Sequence, residues 1–362
     1  MRVLFLITSL GMGGAENILS NLSDGLVEKG CDIKIVCLRG NILVKPKSKN
    51  IEIVNLNFNH VKVFIDAFRI AKNIISDFKP DIVHAHMFHA IVLARLLRLF
   101  INYPKLICTA HSKSFGGIAR SCIYKLTDSF SDLNTNVSDE ATEFFIKNRV
   151  FKRRNTMTVT NGIDTEKFKK NESIRTTLRQ QFDFSDQEFV FVAIGRFNEA
   201  KDYPNLLRAF SLYLQKCSLC SKLVIIGDGD LRAQIEVMIV EYQLEKNVIL
   251  LGIRTDVNDL LNIADLFVLS SAWEGFGLVI AEAMSTERVV IATDCGGVKE
   301  VLGDERFLVP VADSNALSDK MLEIIQLTDA ERTQIGYYNR QRILKEYSLN
   351  TMVDQWLKIY TS

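Results

Sequence analysis

Short apolar runs of strand length recur along this chain, each followed by a stretch of helical period. That alternation limits the fold more than any other feature. "RVLFLIT" at the start reads as a buried strand, and "GAENILSNLSDGLVEKG" behind it as an amphipathic helix ending at Gly30. "DIKIVCL", "DIVHAH" and "KLICTAH" are further strands, each with helix-like sequence after it. Beyond "MTVTNGIDTEKF" comes a polar segment without a strand, "KKNESIRTTLRQQFDFSDQ". A second series then opens with "FVFVAIG" and runs through "KLVIIGDG", "NVILLG", "LFVLSS", "VVIATD" and "FLVP". Alternating strands and helices imply parallel βαβ units. The reading is an α/β chain of two Rossmann-like domains facing a central cleft.

A length of 362 residues suits two domains. The expected boundaries are residues 1–168, residues 169–345 and a closing helix at residues 346–362. That last segment carries Tyr347, Trp356 and Tyr360 as anchors and is expected to cross back to the first domain.

The net charge of +1 conceals an uneven spread. Up to Thr165 there are 22 Lys/Arg against 14 Asp/Glu, and the remainder is acidic. A basic front half suits phosphate or an anionic membrane surface, although scattered solvated lysines would give the same count. An acidic back half and the lack of a known module argue against nucleic acid. The seven cysteines are few and odd in number, as in a reducing cytosol. Cys217 and Cys220 form a C-x-x-C with no second pair to complete a zinc site. The N-terminal apolar run stops at glycine, short of a signal peptide, and no stretch has the ~18 apolar residues of a membrane span. The expected location is cytoplasmic, with peripheral contact at the inner face of the cell membrane.

Several loops sit where a parallel sheet binds ligands. "SLGMGGAEN" joins the first strand to the first helix, and its glycines, Gly14 among them, permit close backbone approach to an anion. G-x-G-G is not the dinucleotide fingerprint, and a plain tight turn explains it equally well. "GRFNEAKDYPNLLRAF" places Arg196 and Lys201 just past a strand end, where two cations can clamp a diphosphate. "DLFVLSSAWEGFGLVIAEAM" puts Glu274 in an edge loop and Glu282 on the helix that follows. Gly277 makes the turn, and the amides of Leu278 and Val279 open that helix toward a phosphate. His84, His86 and His89 in "DIVHAHMFHA" have the look of a metal set, but no metal is expected.

In this order, "GGAEN", "DIVHAH", "TAHS", "VTNGID", "GRFNEAKDYPNLLRAF", "IIGDGDLR", "LLGIRTDVNDLL", "DLFVLSSAWEGFGLVIAEAM" and "CGGVKEVL" resemble the family 4 retaining glycosyltransferases of the GT-B fold. The two glutamates match that family's E-x7-E signature. The resemblance implies a role for each candidate. Glu282 would hold ribose hydroxyls of a nucleotide, and Glu274 hydroxyls of the donor sugar. Arg196 and Lys201 would bind the diphosphate, aided by Leu278, Val279 and Gly14. The backbone at Ile253 and Arg254 would meet the base, and His111 would face the transferred sugar. His84 and His86 would sit at a strand edge lining the acceptor cleft. The family often has Lys-Gly where this chain has Lys201-Asp202, which puts the shape of that loop in question.

The resemblance further implies a UDP- or GDP-sugar donor, a glycan or lipid-linked acceptor, no cofactor, and a setting in bacterial surface polysaccharide assembly. For the membrane surface, the candidate contacts are Arg95, Arg98, Arg120, Lys125, Lys152, Arg153 and Arg154. Two alternatives stand beside this reading. A sugar-nucleotide 2-epimerase of the same fold would not be expected to carry this glutamate spacing with "GRF…K". A non-catalytic nucleotide-sugar-binding protein would be expected to lose His111 or Glu274.

Overall fold

The computed structural model describes residues 1–11, 13–58 and 64–362. The chain divides into two compact units, Met1–Gly162 with Leu349–Ser362, and Ile163–Ser348. The first unit has strands β1 (Arg2–Ile7), β2 (Asp32–Cys37), β3 (Glu52–Asn55), β4 (Ile82–His86), β5 (Lys105–Thr109), β6 (Leu133–Asn136) and β7 (Thr156–Thr158). The second has β8 (Phe189–Ile194), β9 (Ser221–Ile226), β10 (Val248–Leu250), β11 (Leu266–Leu269), β12 (Val289–Thr293) and β13 (Leu308–Val309). The helices are α1 (Gly14–Glu28), α2 (Phe64–Phe78), α3 (Phe88–Leu97), α4 (Ile118–Thr127), α5 (Asp139–Lys147), α6 (Glu172–Gln181) and α7 (Tyr203–Lys216). They continue as α8 (Arg232–Glu241), α9 (Val257–Leu260), α10 (Leu278–Ser285), α11 (Val298–Leu302), α12 (Ser314–Ile325), α13 (Asp329–Glu346) and α14 (Leu349–Thr361).

Both sheets are parallel throughout. Their orders are β3-β2-β1-β4-β5-β6-β7 and β10-β9-β8-β11-β12-β13. Every residue of β4, β8 and β12 is buried, as expected of strands covered on both faces. In each sheet the order reverses once, between β1 and β4 and between β8 and β11. Loops at the carboxyl ends of such paired strands diverge and leave a crevice.

Strands β3, β6 and β7 have no counterpart among the strands read from the sequence. β6 shows why. Its residues Asn134, Thr135 and Asn136 are polar yet buried. Arg95 of α3 accounts for this: its Nη2 donates to Asn134 Oδ1 at 2.7 Å and its Nε to Ser131 Oγ at 2.7 Å. Nη1 donates to the Tyr124 carbonyl and to Thr127 Oγ1, and Nη2 lies 3.7 Å from Asp128. Arg95 is therefore a core residue, and the expectation that it meets a membrane is wrong. Its guanidinium keeps its partners only because every one is fixed by the surrounding elements.

The boundary falls at Gly162, so residues 163–168 go with the second unit rather than the first. Helix α14 belongs to the first unit. It lies against α1 closely enough that a Cβ on Gly25 would come within 2.4 Å of Val353, and Lys29 pairs with Asp354 at 2.8 Å. The aromatic anchors divide between the units. Trp356 and Tyr360 are buried in the first, while Tyr347 packs on Phe276 in the second at 5.5 Å between ring centres.

Candidate active site

In the second unit, the loops after β8 and β11 flank the point where strand order reverses. The first supplies Arg196 and Lys201, the second Glu274. The Lys201 ammonium donates to Glu274 Oε1, and Ser271 Oγ donates to the same oxygen at 2.7 Å. Both side chains are mostly shielded from water, so the pair is one of fixed charges. Its backbone is held as well. Ser270 Oγ donates to the Lys201 carbonyl at 2.8 Å, and the Ala272 amide to the Ala200 carbonyl at 2.8 Å. Glycine is required around it. A Cβ on Gly296 would lie 1.9 Å from the Glu274 carbonyl oxygen, and one on Gly227 2.0 Å from that of Gly195.

The Lys201-Asp202 departure resolves in this loop. Asp202 takes the left-handed conformation, φ +44° and ψ +52°, that glycine would adopt freely. Aspartate tolerates that region better than most residues. Its side chain also accepts from the Asn205 amide and so caps α7. Asp202 thus both makes the left-handed turn and caps the helix.

Gly277, at φ +82°, turns the chain into α10, whose first residues are Leu278 and Val279. The opening amides of a helix have no partner within it and favour an anion. Glu282 lies one turn on. Burial pushes its carboxyl up to about 7, against the pull of Lys167 and Lys201. The Lys201 charge thus acts on both glutamates.

The other candidates are more dispersed. Arg196 is 69% exposed and lies 3.9 Å from Asp230. Ile253 is exposed, and Arg254 forks onto Asp256 at 2.8 and 2.6 Å. Gly14 and His111 belong to the first unit. Gly14 opens α1 behind Gly13. His111 follows β5 in a left-handed conformation, φ +62°, with Nε2 2.7 Å from His86 Nδ1.

His84 and His86 do not line a surface: both are buried. His84 joins Tyr360 Oη and Thr109 Oγ1, each at 2.7 Å. Among the described residues no group of three or more His, Cys, Asp or Glu is placed to hold a metal ion.

Two further residues carry no sequence-based role. Glu16 is buried, accepts from Ser9 Oγ at 3.1 Å, and folds back so that a Cβ on Gly13 would lie 2.4 Å from its Oε2. An acid in a helix's first turn is ordinary, so nothing in the sequence marks this one. Ser271 is the other. "SSAWEG" places it three residues before Glu274, but only the turn brings its hydroxyl onto the carboxylate.

Residues 174–342 match the family model for glycosyl transferases group 1, and residues 12–167 that for Glycosyltransferase Family 4. The chain is 24% identical to N-acetyl-alpha-D-glucosaminyl L-malate synthase of Bacillus anthracis, over 96% of this chain and 94% of that one. It is 27% identical to UDP-Gal:alpha-D-GlcNAc-diphosphoundecaprenol alpha-1,3-galactosyltransferase of Escherichia coli, over 78% and 75%. Among solved structures, a glycosyltransferase from Rickettsia africae superposes with a TM-score of 0.87 at 18% identity, covering 99% and 98% of the two chains. Anabaena HepE in complex with UDP and glucose gives 0.83 at 20%, covering 100% and 99%. The structures show a shared two-sheet fold, the GT-B build, and the two family models account for both of its halves. This chain belongs to the family 4 glycosyltransferases and is a sugar-transferring enzyme.

Proposed function

We propose that this glycosyltransferase moves a sugar from a UDP- or GDP-sugar to a glycan or lipid-linked glycan, keeping the anomeric configuration, in bacterial surface polysaccharide assembly. The observation that carries the donor half is the Lys201–Glu274 pair, with the half-buried Glu282 one turn into α10. As the diphosphate leaves, negative charge grows on it. Lys201, Arg196 and the amides of Leu278 and Val279 stabilise that charge without a metal. Glu274, already oriented by Lys201 and Ser271, holds sugar hydroxyls, and Glu282 holds the ribose. Ile253 and Arg254 meet the base, and in the first unit Gly14 serves the diphosphate and His111 the transferred sugar.

The acceptor half rests on the relatives, since the Escherichia coli enzyme's name specifies a diphosphoundecaprenol-linked sugar. A peripheral stance at an anionic membrane fits α4. Its exposed face carries Ile118, 86% exposed, and Leu126, 80% exposed, with Cys122 and Lys125 between them. Among the described residues no helix is long and apolar enough to cross a membrane.

A thermal-shift screen of UDP-, GDP- and ADP-sugars tests the donor. A ligand present at ~100 times its Kd stabilises by about 2.7 kcal/mol. No shift with any of the three classes ends the donor reading. Activity abolished by EDTA and restored by a divalent ion ends metal independence.

A further inference from the structure

In the first unit, four rings pack together behind His111. His84 and His86 lie 4.0 Å apart between ring centres, Phe5 lies 5.5 Å from each, and Trp356 lies 4.5 Å from His84. Both nitrogens of His84 are committed, one to α14 through Tyr360 and one to β5 through Thr109. His84 is thus clamped, and it clamps His86 in turn. His86 spends its Nδ1 on His111 Nε2 at 2.7 Å, and its own Nε2 is buried without a hydrogen-bond partner.

We infer that His86 is a positioning residue for His111: its Nδ1–H donates to His111 Nε2, sets the proton of His111 on Nδ1 and holds the left-handed backbone there. The role depends on His111 facing the transferred sugar.

The direction of the bond follows from the orphan nitrogen. Burial keeps both rings neutral, pushing His111 down to about 4 and His86 well below the ordinary histidine range. One proton therefore lies between them. If His111 donated it, His86 would carry its own proton on Nε2, an N–H buried with no acceptor. A buried donor without a partner is the rarer and costlier orphan. If His86 donates, its Nε2 is a bare lone pair among aromatic neighbours, and no N–H is stranded. His111 then has Nε2 occupied and presents Nδ1–H as a fixed donor. Its backbone, at φ +62°, is in the left-handed region, uncommon outside glycine though better tolerated by histidine than by most residues. Strain of this kind persists only where the surroundings enforce it, and the bond to the clamped His86 is one such restraint.

The chain has five histidines, so its 15N-histidine NMR spectrum is small enough to assign. The expected wild-type signature at His111 is a protonated Nδ1 and a bare Nε2 from pH 6 to 8. A protonated Nε2 at His111 overturns the proposal. His86→Phe keeps the ring stack and removes the bond. It should release His111 to a mixture of tautomers and lower kcat about ten- to a hundredfold, the scale expected for a misplaced reacting group. The donor KM should stay within about twofold, the same interaction being absent from the ground state. Turnover is read as nucleoside diphosphate released from the UDP-, GDP- or ADP-sugar that the screen selects. Adding His86→Phe to His111→Ala should cost nothing further. Losses that multiply in the double variant overturn the positioning role. His86→Asn retains a donor at the Nδ1 position and should recover most of the lost kcat. Should His86→Phe fail to fold, His86→Asn with wild-type tautomer and turnover supports the proposal, and the same variant folded but inactive overturns it. Full activity in His111→Ala overturns the sugar-facing role itself, with the NMR tautomer unaffected.

Discussion

At the reversal point of the first sheet the polar cluster is made of neutral rings. His84, His86 and His111 are kept uncharged by burial and joined through short bonds to Tyr360 and Thr109. At the matching point of the second sheet it is ionic: Lys201 faces Glu274 and pulls on Glu282. The strand order is the same in both units up to β6 and β13. One scaffold therefore supports two kinds of polar site, and the difference lies in the loops. Charge is also turned inward, in the first unit at Arg95 and Asp128, where it fastens β6, and in the second at Arg175, Arg179 and Asp265. The Lys201–Glu274 pair sits in loops past the strand ends, and the Arg95–Asp128 pair lies inside the fold.

The sharpest test of this contrast is Arg95→Ala. It takes the donor from Asn134 Oδ1 and Ser131 Oγ and the enclosed cation from Asp128, and breaking a buried pair costs about 3–5 kcal/mol. Urea unfolding should show its earliest transition at markedly lower denaturant. An unchanged profile would mean that Arg95 is not structural.

Lys201→Ala should cost less stability than Arg95→Ala but lower kcat about 10²–10³-fold, as for loss of a preorganised charge-stabilising donor. Equal losses in donor affinity and in turnover would show that Lys201 serves only the ground state.

Glu282 comes next. Losing a hydrogen bond to a charged group costs about 1.5–3 kcal/mol, so Glu282→Gln should weaken donor binding by roughly that much above pH 7. The ionised form is the acceptor, and its carboxyl titrates at about 7 in the fold. Wild-type affinity should therefore rise from pH 6 to 8, and the variant's should stay flat in calorimetry. The sign for stability is the reverse. Between the ordinary glutamate value of 4.5 and about 7, the folded chain binds more protons than the unfolded one. Stability contributed by this group is full at low pH and is lost as pH rises through that window. Glu282→Gln should be the more stable protein at pH 8.

The smallest effect is at the membrane. Each basic residue near an anionic surface is worth about 1 kcal/mol. Lys125→Ala should weaken sedimentation with anionic liposomes modestly, and binding should fall as salt rises. Equal failure of the wild type on anionic and neutral vesicles at low salt would point to a soluble acceptor.

The loops of the second unit were legible in the sequence because a parallel sheet puts its ligand at a known edge, and "GRF…K" and the spaced glutamates sit there. What was not legible is which charges stay in water. Arg95, Arg98 and Arg120 look alike in a list of cations, yet Arg95 is enclosed and Arg120 is exposed over the Phe88 ring at 5.0 Å. β6 was invisible because "LNTN" has no apolar pattern, and its burial depends on a guanidinium from another helix. Asp202 was a doubtful substitution until its backbone angles and its cap were seen together.

The sequence by itself determined the two βαβ series, the class of fold, the family and the loops that hold the proposed donor residues. These follow from local periodicity and from residue order, which need no contact between distant segments. Tertiary structure alone decided the Lys201–Glu274 pair, the inward turn of Arg95, and the chain of rings from Tyr360 through His84 and His86 to His111. Each joins residues far apart in the chain, and each depends on burial, which sets whether a polar group is solvated, paired or held neutral.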